Sequence, residues 1–397
     1  MRWVVLTVAV AVLAALLVWQ WPAPQGNSGG DSRRASAAAA ARGNPSGTRG
    51  TGISPFGPVA PGDRQQQLVL WQQRYVRAEQ TYIGYRDATR YPPESRPLDE
   101  HPDQVRPFQP ITEDVALRDA SGKPAKGVRL RTTQERVFLA GTESAMFTIE
   151  ALDESGRPVP LVINRSAAQT MPDSSALITL IRADVPFADN GAAPDEAAGD
   201  SKFSARLTPA VQGFAGYSGT IRLLVEVNAN GETGLVPFDV IYVPAVPATW
   251  AGVREVLEEG SLNFYLKAQV KTPGRYVASG RVYDAKGVPL ALLQFNDVVA
   301  AGPAEFKLSL AGVLVRDRNP AFPLRLVDVE GFLLQPDTFP DRAMMPRQAG
   351  VAHESQRYDV NAFSNAEWQS EERARYLAEY GRDLQRALDE MGRLRQK

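Results

Sequence analysis

The sequence predicts a mainly β protein with two tandem immunoglobulin-like β-sandwiches, an N-terminal transmembrane helix, a disordered linker and a C-terminal helix. Three observations lead to this prediction. An apolar run stands at the N-terminus, the long middle part alternates apolar and polar residues between turn motifs, and the last residues repeat apolar positions at helical spacing. The expected segments are an anchor over 1–21, a linker over 22–62, a helix with a proline-rich extended segment over 63–110, sandwiches over 111–246 and 247–345, and a tail with an amphipathic helix over 346–397.

The N-terminal run is apolar enough to cross a bilayer. Residues 3–19 read WVVLTVAVAVLAALLVW, with Thr7 as the only polar side chain. As a helix with a rise of about 1.5 Å per residue, the run would be roughly 26 Å long, close to the thickness of a hydrocarbon core. Gln20, Trp21 and Pro22 follow, where a signal peptidase needs small residues. We therefore expect a retained anchor, and a cleaved signal peptide is the alternative.

The residues around this run indicate where the protein lies. Arg2 stands directly before the run, and long domains are translocated largely regardless of their charge. We expect a single pass through the inner membrane, with the N-terminus in the cytoplasm and the bulk of the chain periplasmic. Arginine far outnumbers lysine, and alanine, glycine and proline are abundant, which is typical of a GC-rich bacterial gene. The linker 22–62 is rich in small residues and proline, so it buries too little apolar surface to fold.

The first folded segment is predicted to be a helix over 63–80 that begins at Asp63 as its N-cap. Its apolar positions recur on one helical face, at Leu68, Trp71, Tyr75 and Ala78. Six prolines follow between 91 and 110. Because proline disrupts helices and the interior of sheets, we expect that stretch to be extended and to lie over a neighbouring domain.

Alternating strands predict the two sandwiches. Ala145–Leu152 is the clearest strand, since Phe147, Ile149 and Ala151 would share one face. Further strands are expected at 128–132, 136–140, 159–163, 176–181, 220–227 and 234–243 in the first sandwich, and at 263–270, 276–283, 290–295, 305–310 and 324–334 in the second. The pair Asn230-Gly231 is typical of a two-residue hairpin turn.

A turn motif, D-x-x-G-x-P, occurs three times, at 119–124, 153–158 and 284–289. In each copy we expect the aspartate to accept hydrogen bonds from the turn backbone and the glycine to adopt a positive φ. The last two copies each separate a pair of predicted strands, which suggests two related sandwiches. Calcium binding is the alternative, although the spacing matches no complete calcium loop.

The C-terminal helix carries the predicted partner-binding residues. Ser364 and Glu367 fit a capping box at its start. The apolar positions then alternate spacings of three and four, which is typical of a heptad seam. The seam consists of Leu377, Tyr380, Leu384, Ala387, Met391 and Leu394. Two interpretations are open: the seam packs on the protein's own sandwich, or it pairs with another chain.

The composition gives little support for catalysis. Cysteine is absent and the only histidines are His101 and His353, which excludes thiol nucleophiles, disulfides and sulfur-ligated zinc. A net charge of -1 provides no basic field for nucleic acid. The acidic clusters at 99–103 and 184–200 lack the spacing of a metal site. We therefore expect no catalytic residue, no cofactor and no metal.

The predicted function is that of a non-enzymatic cell-envelope protein that presents binding or scaffold domains outside the inner membrane. Its expected partners are the membrane through the N-terminal helix, and an envelope protein or a second copy through the C-terminal helix. A polysaccharide is a further expected partner, because Trp250 and Tyr265 belong to an aromatic group that could stack on sugars. The alternatives are an accessory glycan-active enzyme with paired carboxylates and an oligomerising subunit of an envelope secretion or assembly complex.

Overall fold

Antiparallel β-sheets dominate the described part of the chain, which comprises residues 63–119, 121–172 and 180–396 of a computed structural model. This architecture confirms the mainly β prediction and is consistent with immunoglobulin-like β-sandwiches. The predicted anchor and linker, and most of the strand predicted at 176–181, lie outside the described residues. Within the described ranges, no helix combines the length and the apolar character that crossing a membrane requires.

The described chain opens with a long helix, α1 (Arg64–Ala88). It continues past the predicted end at Gln80. Asp63 occupies the N-cap position, as predicted, but its side chain makes no capping hydrogen bond. The proline-rich segment follows with a short strand, β1 (Ser95–Pro97), and two single-turn helices, Leu98–Glu100 and Pro102–Gln104.

The first module, residues 111–243, consists of two sheets. Its strands are β2 (Ile111–Arg118), β3 (Pro124–Gln134), β4 (Phe138–Ala140), β5 (Ala145–Leu152), β6 (Leu161–Thr170), β7 (Arg182–Asp184), β8 (Phe203–Leu207), β9 (Gly219–Ala229) and β10 (Glu232–Val243). One sheet has the order β2-β3-β5-β8 and the other β4-β10-β9-β6-β7. Phe147 of the first sheet and Phe238 of the second pack with ring centroids 5.0 Å apart. The core of this module therefore lies between the two sheets.

The second module, residues 248–354, has the same construction. Its strands are β11 (Ala248–Glu258), β12 (Ser261–Val270), β13 (Gly274–Tyr283), β14 (Pro289–Val299), β15 (Gly302–Leu310), β16 (Arg325–Leu334), β17 (Arg342–Met344) and β18 (Gln348–Glu354), with a short helix α2 (Gly312–Arg318) after β15. One sheet has the order β11-β12-β15. The other has the order β1-β14-β13-β16-β17, and β18 also pairs with β16. Phe306 packs against Tyr276 and Phe295 across the core, with centroids 5.5 and 4.9 Å away.

The proline-rich segment joins the second module through β1. Ser95, Arg96 and Pro97 pair with Leu293, Leu292 and Ala291 of β14 at the edge of the sheet. An edge strand tolerates proline because one side of its backbone has no partner strand. Leu98, directly after β1, is fully buried.

The two modules meet further on, where the Arg342 guanidinium lies 5.5 Å from the Phe138 ring and 4.9 Å from the Phe332 ring.

The three D-x-x-G-x-P motifs form the same turn, which confirms the turn interpretation. Each aspartate accepts two backbone N–H groups at 2.8–3.0 Å, and each glycine has a φ of +81° to +83°. The donors are Ser121 and Lys123 for Asp119, Ser155 and Arg157 for Asp153, and Lys286 and Val288 for Asp284. The Ser155 hydroxyl and these N–H groups hold the pKa of Asp153 well below its usual range. The predicted hairpin turn at Asn230-Gly231 is also present, between β9 and β10.

The chain ends in a helix, α3 (Glu371–Gln396), which starts later than the sequence predicts. The capping box is wrong. The Ser370 hydroxyl accepts the N–H of Arg373 at 3.0 Å and so occupies the capping position, whereas the Ser364 hydroxyl accepts the N–H of Ala366 before the helix begins. The Glu367 carboxylate pairs with Arg90 and Arg373 instead of capping the helix.

Candidate interaction surface on the helix pair

Helices α1 and α3 lie antiparallel along each other. At one end, the Arg64 guanidinium donates to the carbonyl oxygen of Leu394 at 2.7 Å. At the other end, the Tyr85 ring packs edge-on against both Tyr376 and Tyr380, with centroid distances of 5.6 and 5.3 Å. The 25 residues of α1 give this helix pair a length of about 37 Å.

The predicted partner-binding seam is the face of α3 that packs on α1. Ala387 and Met391 of the seam are buried, and its other members are half-buried: Leu377, Tyr380, Leu384 and Leu394. On α1 the buried residues are Trp71 and Ala78, which are seven residues apart. None of these four buried side chains belongs to the core of either module. The seam is therefore paired within the chain, and its partner is α1 and not a sandwich.

One end of the helix pair is fixed to the second module by an ionic network, which we call the base. Two Arg90 nitrogens donate to the Asp317 carboxylate in α2, at 2.7 and 2.9 Å, and a third pairs with Glu367. The Tyr91 hydroxyl also donates to Asp317, at 2.9 Å. The Arg90 guanidinium lowers the pKa of Asp317 below its ordinary value.

The same network reaches into α3 through a buried arginine. The Arg373 guanidinium donates to the Glu367 carboxylate at 2.5 Å and to the Thr89 hydroxyl at 3.1 Å. Because Glu367 contacts both Arg90 and Arg373, the start of α3 and the end of α1 are tied to the same carboxylate. The other end of the pair, with Arg64 and Leu394, lies opposite this base, and we call it the tip.

The outer face of α1 is free of charge over most of its length. Three aliphatic residues at seven-residue spacing, Val69, Val76 and Ile83, are 50%, 42% and 41% exposed. The exposed Arg77 borders this row, and Asp87 ends it one turn beyond Ile83. Up to Ile83, the exposed side chains close to the three aliphatic residues are glutamines: Gln65, Gln66, Gln72, Gln73 and Gln80. At about 100° per residue these eight side chains fall within about 60° of one line along the helix. We call this set the α1 stripe.

The outer face of α3 has the opposite character. Its exposed charged residues are Glu371, Glu372, Arg375, Glu379, Arg382, Arg386, Asp389, Arg393 and Arg395. Some of them pair along the helix, as Glu371 does with Arg375 at 3.4 Å and Glu390 with Arg393 at 2.9 Å. Leu388, 41% exposed, is the large apolar exception on this face. The surface of α3 is therefore suited to water.

The acidic loop at 184–200 brings three carboxylates together but uses them to hold its own backbone. Oxygens of Asp189, Asp195 and Asp200 lie within 4.8 Å of one another. Asp189 accepts three backbone N–H groups at 2.6–3.2 Å, and Asp195 accepts the N–H of Gly191 at 2.6 Å.

In the cluster at 99–103, Asp99 pairs with Arg318 at 3.0 Å and Glu100 with Arg96 at 2.8 Å.

This acidic loop covers part of the outer face of the β2-β3-β5-β8 sheet and leaves a polar cleft of about 420 Å³. The cleft is lined by threonines and charged side chains, including Thr133, Thr148, Arg131, Glu150 and Asp195. The Glu150 carboxylate is paired with Arg131 at 3.3 Å. Among the residues that line this cleft, no aromatic ring offers a stacking surface for a sugar.

The aromatic group of the second module lies mostly inside it. Phe264 and Tyr276 are fully buried, and Trp250 and Phe295 pack against the same core. The Tyr283 hydroxyl donates to the carbonyl oxygen of Val105 at 2.7 Å. Tyr265 faces outward, as expected for the neighbour of a buried strand residue, but the Arg254 guanidinium lies 3.7 Å from its ring centroid.

Comparison with known proteins identifies no family. No protein-family model matches the sequence, and no curated protein matches it. A DUF4785 family protein from Legionella pneumophila is 11% identical, with a TM-score of 0.37 and 57% of each chain covered, so the match spans less than two thirds of that protein.

Two further solved structures are similar at lower scores. An adhesin of Yersinia pseudotuberculosis is 13% identical, with a TM-score of 0.18, 54% of this chain covered and 58% of that one. Fibronectin(III)-like modules from Clostridium thermocellum are 12% identical, with a TM-score of 0.20 and coverage of 57% of this chain and 100% of theirs.

Proposed function

We propose that the protein is a non-enzymatic, membrane-anchored cell-envelope protein that presents two immunoglobulin-like sandwiches outside the inner membrane, with the helix pair as a spacer. The observation that carries this proposal is the position of the start of α1. The predicted linker ends at residue 62, and α1 begins at Arg64, at the tip of the helix pair opposite the base.

The geometry of the helix pair supports the spacer role. The base is tied to the second module through Asp317, and the tip lies about 37 Å away along α1. A flexible linker of 22–62 would add about 35 Å of root-mean-square reach. The sandwiches would thus lie several tens of ångströms from the membrane surface, where they could meet partners in the envelope.

The construction of both modules also suits an exported protein. The chain has no cysteine, so neither sandwich depends on disulfide formation after export. Each module instead has its own apolar core, and the three D-x-x-G-x-P turns fix strand connections by backbone hydrogen bonds. In the polar cleft, the Asp195 carboxylate accepts the N–H of Gly191 and the Asp200 carboxylate accepts that of Lys202. Glu150 pairs with Arg131, so the cleft gives the enzyme alternative no support.

Fractionation of cells that express the full chain tests the anchor and its orientation. We expect the protein to remain in the membrane after an alkaline carbonate wash, and protease added to spheroplasts to digest it. Substituting Val10→Arg together with Leu13→Arg should release it, since each arginine costs about 2.5–3.5 kcal/mol at the centre of a membrane helix. Ala39→Arg, in the predicted linker, is the matched control and should leave the protein in the membrane.

Two outcomes would contradict the proposal. Release of the unaltered protein by the carbonate wash would show that residues 3–19 do not anchor it. Full protection from protease in intact spheroplasts, with digestion only after lysis, would place the modules in the cytoplasm.

A further inference from the structure

We infer that the α1 stripe is a self-association surface, on which the stripe of a second copy of this chain packs to form an intermolecular four-helix bundle. The seam of α3 is not free for this purpose, because Ala387 and Met391 are buried against α1 of the same chain. The stripe, by contrast, exposes Val69, Val76 and Ile83 over about 21 Å of the pair. This inference holds whether or not residues 3–19 anchor the chain.

Seven-residue spacing makes the stripe a suitable face for another helix. Aliphatic side chains that recur every seven residues stay on one side of a helix that supercoils gently around a partner. Val69, Val76 and Ile83 are all β-branched, so they lose little rotamer freedom when they become packed. A face of this type is expected to bind a helix and not a flat sheet.

The glutamines favour an identical copy as the partner. A glutamine amide carries both a donor and an acceptor, so two copies of one glutamine can satisfy each other across a two-fold axis. Gln73 and Gln80 lie between the aliphatic residues, where such pairs would form. A charged partner helix would instead lose hydration of its charges without meeting an opposite charge on the stripe.

The same lack of charge argues against a lipid surface as the occupant. Binding of a helix to anionic headgroups depends on lysine and arginine around the apolar face. None of the eight stripe residues is charged. The charges beside the stripe on α1 are of both signs, with Arg77 and Arg86 balanced by Glu79 and Asp87, so they form no row of bases for anionic headgroups.

The size of the surface sets the expected strength. From Gln65 to Ile83 the stripe is about 27 Å long, and with a width of about 10 Å it buries about 270 Å² on each copy, or about 540 Å² in total. This area is below the about 1,200 Å² at which stable specific interfaces begin and is in the range of weak, transient contacts. We therefore expect a reversible dimer and not an obligate one.

Single-cysteine cross-linking of the full chain in membranes tests the inference, since the chain has no native cysteine. In Val76→Cys, a bismaleimide should link two chains into a species of twice the mass. The matched control is Leu388→Cys, because Leu388 on α3 is exposed to nearly the same extent, 41% against 42%. We expect at least fivefold more linked dimer from Val76→Cys than from Leu388→Cys.

A second variant separates specific packing from chance encounters. Val76→Glu in a Val69→Cys background should reduce the linked dimer severalfold, whereas Leu388→Glu in that background should not. Circular dichroism of each variant checks that the fold is retained. Equal cross-linking of Val76→Cys and Leu388→Cys would overturn the inference, and so would an adduct of Val76→Cys with a different protein in place of the dimer.

Discussion

Helices α1 and α3 share one seam, but the surfaces that they turn away from it differ in kind. The outer face of α3 carries nine charged residues and one exposed leucine, Leu388. The α1 stripe carries three exposed aliphatic residues and five glutamines, with no charge. Both helices need the seam in order to fold, so the seam does not distinguish them.

This difference between the two outer faces indicates which side of the helix pair binds a partner. A helix whose outer face is meant for water usually gains solubility from paired charges, as α3 does. The α1 stripe exposes aliphatic side chains in a row among glutamines, although α1 is nearly as long as α3 and packs on the same seam. The following predictions test this contrast in order of decreasing effect.

The largest effect is expected from a charge inside the seam. In Ala387→Glu, a carboxylate would enter a fully buried site, and we expect α3 to lose about 3 kcal/mol or more of its protection. In Leu388→Glu, one position along, the change should stay within about 0.5 kcal/mol. Amide hydrogen exchange of α3 in the full chain measures both, and equal protection in the two variants would contradict the assignment of the faces.

The next effect concerns the base of the helix pair. Arg90→Gln removes the ionic contacts to Asp317 and Glu367, and we expect a loss of about 1 kcal/mol at neutral pH, because these side chains are partly exposed. Arg86→Gln breaks only the exposed contact to Asp87 and is the control. Urea unfolding followed by circular dichroism gives both values.

The base should also respond to acid with a definite sign. Arg90 lowers the pKa of Asp317 in the folded state, so the ion pair adds to the free energy of unfolding above the unfolded pKa of about 3.9. This added stability is lost as the pH falls below that value. In Arg90→Gln the loss of stability below about pH 4 should therefore be smaller. If stability falls equally below about pH 4 in Arg90→Gln and in the unaltered protein, the Arg90–Asp317 pair does not contribute to stability.

Substituting Asp383 on α3 is expected to change stability by less than Arg90→Gln does, and in the opposite direction. Burial raises the pKa of its carboxyl, and Glu379 adds to the shift, so folding favours the protonated form. The stability that this group contributes is present at low pH and is lost as the pH rises through its folded pKa. Asp383→Asn should therefore stabilise α3 at pH 7 by about 0.5 kcal/mol, with less gain near pH 4. Asp389→Asn, on the exposed face, is the control in a hydrogen-exchange measurement.

The smallest effect is the response of the dimer to salt. Because the α1 stripe is uncharged, the dimer fraction should change less than about twofold between about 0.05 and 0.5 M NaCl. Sedimentation velocity of the detergent-solubilised full chain measures this fraction. A severalfold decrease with salt would indicate that the charged face of α3 forms the contact.

Much of the β structure is predictable from the sequence because it depends on local alternation and turns. The strand predicted at Ala145–Leu152 is β5, since its alternate side chains enter one core. Prediction missed β11, where a bulge between Trp250 and Gly252 shifts the register and interrupts the alternation. It also missed β8, which has only five residues and is held by pairing with the distant β5.

The helix pair was predicted only in part because tertiary contacts set its limits. The Tyr82–Tyr85 stretch contains a glycine and a β-branched residue, and its helical state depends on the packing of Tyr85 against Tyr376 and Tyr380. The seam of α3 was found from its period, but the period does not reveal that α1 is its partner.

The α1 stripe is harder to predict than the seam, because its exposed aliphatic residues recur beside the buried row of Trp71 and Ala78 on the same helix. A signal for it does exist in the sequence. Val69, Val76 and Ile83 recur every seven residues, and glutamine supplies the residues around them. Such a second apolar row beside the buried one indicates a helix with two packing faces.

The most direct measurement is the distance between two spin labels, one on each copy of the full chain labelled at Val76→Cys. Since the chain has no other cysteine, each copy carries one label. Packing through the α1 stripe predicts a dipolar coupling that corresponds to about 10–25 Å, because packed helix axes lie about 8–10 Å apart. The same label at Leu388→Cys should give a weaker coupling at a longer distance. Absence of coupling from Val76→Cys, or a shorter distance from Leu388→Cys, would contradict the assignment of the α1 stripe as the surface where two copies meet.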